Sequence, residues 1–356
     1  MKAKVGIVGA SGYAGVELLR LCAGHPDLEV AVATAGANSG ERVARHTPSL
    51  AAAYPSLSYA PTEASALDGL DLVFLALPHG QSQHLVPELL AGVGVIVDLA
   101  ADFRLHDPAL YPTWYGEPHS APELLGRFAY GLPELHRREL QGARLIAAPG
   151  CYPTAAILAL APLVEAGVLA RPGGQNDPGG SVPSFVVDAA SGVSGAGRAP
   201  KVDLHFAAVD EGFAAYGLLD HRHTAEMEQS LGAPVLFTPH LAPMVRGILA
   251  TCYARPSASV GGPGALTTDA AMGILRNRYD GEPFVVVTAD PPSTKATTGS
   301  NCAQVTVRVD ARTGWVLAIA AIDNLIKGAS GQAVQCANLA LGLPEDTGLP
   351  KAGVYP

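Results

Sequence analysis

Cys151 stands in the run Ala148-Pro-Gly-Cys-Tyr-Pro-Thr154, after a short apolar stretch and before an Ala- and Leu-rich one. A strand, a Pro-Gly turn and a helix opening near Pro153 would set its sulfur against unpaired amides at the positive end of the helix dipole. Such a position favours the thiolate, which is the nucleophilic form for acyl transfer. The other cysteines, Cys22, Cys252, Cys302 and Cys336, read as small core residues. Five cysteines without a CxxC pair suit a reducing compartment and indicate neither a zinc site nor a disulfide framework.

Thiol chemistry also needs a group that gives and takes protons, and the densest histidine cluster is His221-Arg222-His223. Two histidines at alternate positions of an extended segment point the same way. Glu226, one helical turn past His223, could orient a ring or hold a substrate amide. No third ligand is spaced for a metal.

Arginines suited to anions are Arg104, Arg198 and Arg246. Arg104 follows the carboxyl end of a strand, where ligands of open sheets collect, and is the expected phosphate contact. Arg198 follows Ser191-Gly-Val-Ser-Gly-Ala-Gly197, a loop whose small residues, Ser194 and Gly195 among them, would bring backbone close to a ligand; a plain flexible loop is the competing reading.

A second site opens near the start of the chain. Gly9-Ala-Ser-Gly12-Tyr-Ala-Gly15 follows the first apolar stretch and leads into a helical one, so its amides could hold a pyrophosphate. The spacing is GxxGxxG rather than GxGxxG. At the end of the second strand Thr34-Ala35-Gly36 carries no carboxylate to exclude a 2′-phosphate, which favours NADP over NAD, and Arg42 lies just beyond. An ordinary polar loop is the alternative for 33–40.

The elements that must position these residues follow from hydrophobic pattern. Continuous Val/Ile/Leu runs predict strands over 5–8, 28–34, 72–76, 95–99 and 144–148, alternating with helices over 16–22 and 83–91. That alternation predicts an α/β doubly wound parallel sheet of Rossmann type. A helix is predicted over 154–167, where the domains should meet, followed by a Gly/Pro/Asn loop over 173–180. Short strands over 182–188, 235–239, 248–254, 284–288, 304–309 and 315–322 predict a mostly antiparallel second sheet. The Ala- and Leu-rich tail 324–341 predicts a helix that returns to the first domain.

Composition bounds the answer. At 356 residues, two cores are expected, and 48% apolar against 15% charged residues excludes a disordered chain. The net charge of −9 disfavours nucleic acid and anionic membrane as partners. The Met-Lys-Ala-Lys start reads as the edge of a strand rather than a leader. No apolar run approaches the roughly 18 residues that cross a bilayer, so a soluble, cytoplasmic protein is expected.

These segments, with Phe237-Thr-Pro-His-Leu-Ala-Pro-Met-Val-Arg-Gly247 and Asp323-Asn-Leu-Ile-Lys-Gly-Ala-Ser-Gly-Gln-Ala-Val-Gln335, make the chain resemble the N-acetyl-gamma-glutamyl-phosphate reductase family from end to end. The resemblance implies a fold of the semialdehyde dehydrogenase type. An NADP domain over 1–150 with 324–356 would be joined to an α+β catalytic and dimerisation domain over 151–323, assembled as a homodimer or homotetramer. It implies Cys151 as nucleophile and acid–base chemistry from the His221/His223 pair, with His223 favoured; Arg104, Glu226 and Arg198, read from the residues themselves, are the expected substrate contacts. It places Gly12, Gly195 and Asn324 along the cofactor; Gly9, Ser11, Tyr13, Gly15, Thr34 and Ser194 are the further expected cofactor contacts. Ala35-Gly36 stand where members often carry a Ser-Arg pair, which removes a contact to the 2′-phosphate. The activity implied is reduction of an acyl phosphate to an aldehyde in arginine biosynthesis. Rival readings are the same chemistry on a carrier-bound aminoadipyl phosphate or on aspartyl phosphate, and a nucleotide-binding regulator without catalysis.

Overall fold

The computed structural model describes residues 1–170, 184–257, 260 and 265–355. The loop predicted over 173–180 and the first residues of the strand predicted from 182 lie outside them. The first part of the chain forms β1 (Ala3–Val8), α1 (Tyr13–Gly24), β2 (Leu28–Thr34), β3 (Leu72–Leu75), α2 (Ser82–Leu89), β4 (Val95–Asp98), β5 (Ala129–Tyr130), α3 (Pro133–Leu140) and β6 (Leu145–Ala147). The remainder forms α4 (Cys151–Glu165), β7 (Phe185–Gly192), β8 (Ala214–Ala215), α5 (His223–Leu231), β9 (Val235–Ala242), β10 (Ile248–Ala254), α6 (Thr268–Arg278), β11 (Val285–Val287), β12 (Ala303–Val309), β13 (Val316–Ile322) and α7 (Gly331–Ala340).

Two compact units result: Met1–Gly150 with Ala329–Leu349, and Cys151–Gly328 with Pro350–Pro356. The first holds a six-stranded sheet of order β2-β1-β3-β4-β6-β5, all of whose pairs are parallel. Strands buried along nearly their whole length explain the unbroken apolar runs. The order reverses between β1 and β3, the switch point where open α/β sheets gather ligands at their carboxyl ends. Helix α7 packs beside α1 and α3 and against β4. His25 Nε2 pairs with Asn338 Oδ1 at 3.0 Å, and Ser330 Oγ donates to the Ala14 carbonyl at 2.9 Å, so both ends of α7 are fastened to this unit.

The second unit holds a seven-stranded sheet, β11-β12-β13-β10-β7-β9-β8, in which β7/β9 and β11/β12 are parallel and the other pairs antiparallel. Helices α4, α5 and α6 cover one face. Along β10 the alternate residues Ile248, Ala250, Cys252 and Ala254 are buried, while Leu249, Thr251 and Tyr253 are half-exposed on the other face.

Two elements depart from expectation. The helix predicted from 154 begins at Cys151, because Pro153 still falls in the first turn, where its missing N–H removes no hydrogen bond. The tail is not one helix over 324–341: a π-helical turn spans Ile326–Ser330 before α7. Its cause is Asp323, whose Oδ1 accepts from the amides of Leu325 and Ile326 at 2.9 and 3.1 Å and so redirects the chain.

Candidate active site

In the first unit the three glycines of the turn after β1 serve different needs. Gly9 adopts φ +76°, and a Cβ there would lie 2.4 Å from the Ala76 carbonyl oxygen at the exit of β3. Gly15 is buried in α1, where a Cβ would lie 2.4 Å from the Gly9 carbonyl oxygen. Gly12, the residue before α1, has more room, with the Gly9 oxygen at 3.4 Å. Bare backbone therefore faces a groove of about 340 Å³ lined by Gly9, Gly36, Thr62, Leu77, Gln81, His84, Leu85 and Glu88. Ser11 and Gly12 are half-buried and Tyr13 is exposed at the helix start.

A dinucleotide fits this arrangement: amides at a helix N-terminus, close backbone approach, and a groove at the switch point. Among the described residues lining the groove none is Lys or Arg, and Glu88 is acidic. Thr34 is fully buried with its hydroxyl on Thr62 Oγ1 at 2.9 Å, so it shapes the end of β2 and presents no surface to a ligand.

Arg104 is also enclosed, at 6% exposure. Its Nε donates to the Ala148 carbonyl and its Nη2 to the Leu99 carbonyl, both at 2.8 Å. The guanidinium thus ties the exits of β4 and β6 together. Nearby, Asp102 accepts from the amides of Gly80 and Gln83, and Asp98 accepts from Ser82 Oγ at 2.7 Å. Burial and the Asp102 charge push the Asp98 carboxyl up to about 7.

In the second unit Cys151 opens α4, and it alone of the five cysteines is not buried. Desolvation pushes the Cys22 and Cys252 thiols up to about 12, which leaves them inert. Tyr152 carries the connection from Cys151 to the histidines. Its ring stands edge-on to those of His221, His223 and Phe237, with centroids 5.8, 5.9 and 5.2 Å away. Its hydroxyl donates to the His240 carbonyl at 3.0 Å and accepts from the Tyr216 hydroxyl at 3.1 Å.

His221 and His223 lie together, ring centroids 4.7 Å apart. The amide of His223 donates to His221 Nδ1 at 3.2 Å, so a neutral His221 carries its proton on Nε2. Burial, with the Arg222 charge second, pushes His221 down to about 4 and keeps it neutral near pH 7. His223 is the first residue of α5, and Glu226, fully buried, lies in the same turn.

Ser194, Gly195 and Asn324 also converge. Asn324 Nδ2 donates to Ser194 Oγ at 2.9 Å, and its Oδ1 accepts from the Gly247 amide at 2.7 Å. A Cβ on Gly195 would lie 3.0 Å from Ser191 Oγ. Arg198 is exposed just past Gly197, whose φ is +86°. Arg246 pairs with buried Asp323 at 3.4 Å instead of standing free for an anion.

Sequence reasoning missed Tyr152, Tyr216, His240 and Asp323. Tyr152 could have been found from its place beside Cys151. No local pattern marks Tyr216, because its partner hydroxyl is 64 residues away.

A nucleotide-type parallel sheet, a mixed sheet and a cysteine at a helix start define the semialdehyde dehydrogenase class. Residues 4–143 match the family described as "Semialdehyde dehydrogenase, NAD binding domain", and residues 151–324 match "Semialdehyde dehydrogenase, dimerisation domain". The fold is that of aspartate semialdehyde dehydrogenase II complexed with ASA from Vibrio cholerae (15% identity, TM-score 0.67, 96% of this chain and 99% of that one). Aspartate semialdehyde dehydrogenase with NADP from Candida albicans is similar (14% identity, TM-score 0.66, 95% and 98% covered). The N-acetyl-gamma-glutamyl-phosphate reductase of Symbiobacterium thermophilum is 48% identical over 100% of both chains. The chain belongs to the N-acetyl-gamma-glutamyl-phosphate reductase family, a family of oxidoreductases. Among the described residues no helix is long and apolar enough to cross a membrane.

Proposed function

We propose that the chain reduces N-acetyl-L-glutamyl 5-phosphate to N-acetyl-L-glutamate 5-semialdehyde and phosphate, with NADPH as reductant, in arginine biosynthesis in the cytoplasm. The observation that carries the reading is the placement of Cys151: a half-buried cysteine, where the other four are buried, opening α4 and followed by Tyr152, whose ring packs against both histidines.

The Cys151 sulfur attacks the acyl carbon, the C–S bond forms, and phosphate leaves with the electron pair of the broken C–O bond. The amides of the first turn of α4, which lack partners within the helix, favour the negative charge that develops on the carbonyl oxygen. The nicotinamide cofactor, when bound, supplies the hydride. His223 then gives a proton to the thiohemiacetal oxyanion and takes it back as the C–S bond breaks, releasing aldehyde and restoring the thiolate. Neutral His221, fixed through Nδ1, orients the start of α5. Arg198 meets the anionic groups of the substrate, whereas Arg104, expected as the phosphate contact, is enclosed on the Ala148 and Leu99 carbonyls. Glu226 holds the His223 end of α5 in place.

Gly9, Ser11, Gly12, Tyr13 and Gly15 hold the cofactor's phosphates. Gly195, Ser194 and Asn324 shape the surface that meets its reacting end. The half-exposed face of the second sheet, with Leu249, Tyr253, Leu317 and Ile319, is where copies of the chain meet, as a dimer or a tetramer.

The test is phosphate-dependent reduction of NADP in the presence of N-acetylglutamate semialdehyde. Cys151→Ala should lower turnover by about 10⁴-fold or more. Retention of turnover by the variant removes the thioester route. Turnover with aspartate or aminoadipate semialdehyde but not with the N-acetylated aldehyde keeps the route and replaces the substrate.

A further inference from the structure

The motif 323–335 is only partly used by this chemistry, and its π-helical turn is a rare element that tends to occur at functional sites. Gly328 sits inside that turn. A Cβ built on it would lie 2.7 Å from Cys151 Cβ, 3.2 Å from Cys151 Cα and 3.3 Å from Ile322 Cδ1. No side chain fits there unless the cysteine moves. The backbone of the turn is therefore in direct contact with the residue that carries the sulfur.

The turn is itself held from one point. Asp323 is fully buried, and its Oδ1 accepts from the amides of Leu325 and Ile326. Its Oδ2 accepts from the Gly299 amide at 2.8 Å, and Arg246 stands 3.4 Å away as the counter-charge. The Asp323 carbonyl accepts from the Gly328 amide at 3.0 Å, closing the wide turn. A carboxylate with this many donors fixes the turn more firmly than helix propensity alone, since Gly328 itself disfavours a helix.

We propose that Gly328 and Asp323 are positioning residues for the nucleophile: the Asp323-anchored turn is the wall that sets where the Cys151 sulfur points. The proposal rests on Cys151 being the nucleophile, which Cys151→Ala tests separately. A displacement of the sulfur by about 1 Å is enough to lower turnover on the order of 100-fold.

The experiment uses the full chain. Iodoacetamide alkylation of Cys151 is followed as a function of pH in wild type, Gly328→Ala, and Gly328→Ala with Ile322→Val, alongside kcat and the KM for the acyl phosphate. Gly328→Ala should slow alkylation and shift its pH profile, and should lower kcat about 100-fold with KM nearly unchanged. Ile322→Val, by removing Cδ1, should recover part of both losses. A wild-type alkylation rate and pH profile in Gly328→Ala overturns the proposal, whatever happens to kcat. Should that variant fail to fold, Asp323→Asn is measured in the same way: slowed alkylation supports the proposal and an unchanged profile overturns it. In either case a dead Cys151→Ala beside a normally alkylated variant separates failure of the positioning role from failure of the thioester route.

Discussion

The glycine turn after β1 and the cluster around Cys151 both lie where a strand gives way to a helix, yet they are built in opposite ways. The turn works because side chains are missing: over seven residues, Gly9 and Gly15 clear space that a single Cβ would fill. The cluster works because side chains are present, brought from 151–152, 216–226 and 237–240 by the order of the second sheet and the packing of α5 on α4. Binding through backbone can be built locally. An enclosure of titratable side chains cannot be built locally, and in this unit it takes contacts between residues more than sixty positions apart.

The sharpest way to break the comparison is at the histidines, since it assigns them unequal tasks. His223→Asn should lower kcat by about 10²–10⁴-fold, the usual effect of losing an acid–base group. His221→Asn should cost about tenfold, through loss of alignment. Steady-state kinetics checks both, and a larger loss in His221→Asn reverses the assignment.

At the glycine turn the expected effects are smaller and depend on which glycine is changed. Gly9→Ala meets both a positive φ, which costs roughly 1–2 kcal/mol, and a backbone oxygen at 2.4 Å. The KM for NADPH should rise at least about tenfold. Gly12→Ala, with 3.4 Å of clearance, should change it by less than about threefold. Equal effects would mean that the turn is not read through its backbone.

Much of the turn was legible for that reason: strand, glycines and helix follow one another in seven residues, and the parallel sheet shows in unbroken apolar runs. The start of α4 was harder to place. The helix is buried on nearly every side, so no amphipathic period marks its first residue, and Pro153 looked like the start when it is the third position. Strand β5 has two residues, too few for any pattern. Asp323 was invisible as an anchor because a lone aspartate before an Ala-rich tail carries no sign that its carboxylate faces inward.

Acid acts on both units through their histidines. Burial lowers His221 to about 4, and burial also lowers His25 and His119. Each unfolded histidine binds its proton near pH 6.5, so the unfolded chain takes up more protons below that pH. Through these histidines the fold loses stability as pH drops from about 6.5 towards 4, His221 accounting for roughly 3 kcal/mol over the full range, while Asp98, raised to about 7, takes up its proton first in the folded chain and opposes the trend. The denaturant midpoint of His221→Gln should gain on that of wild type as pH falls through this window. A constant gap between the two would place the lowered histidine elsewhere.

The smallest expected effect concerns the hydroxyl chain behind the cysteine. Tyr216 donates to Tyr152, whose own proton goes to the His240 carbonyl, and burial pushes the Tyr216 hydroxyl up to about 12, so it stays protonated throughout the working range. Tyr216→Phe removes one donor but leaves the bond from Tyr152 to His240 intact. The loss should be about 0.5–1.5 kcal/mol in unfolding free energy and a few-fold in kcat, because a single neutral hydrogen bond contributes no more than that. Tyr152→Phe strands the His240 carbonyl as well and should cost more, about 1–3 kcal/mol. If the two variants are equally mild, the hydroxyl chain only fills space, and the rings of Tyr152 and Phe237 alone pack the histidines in place.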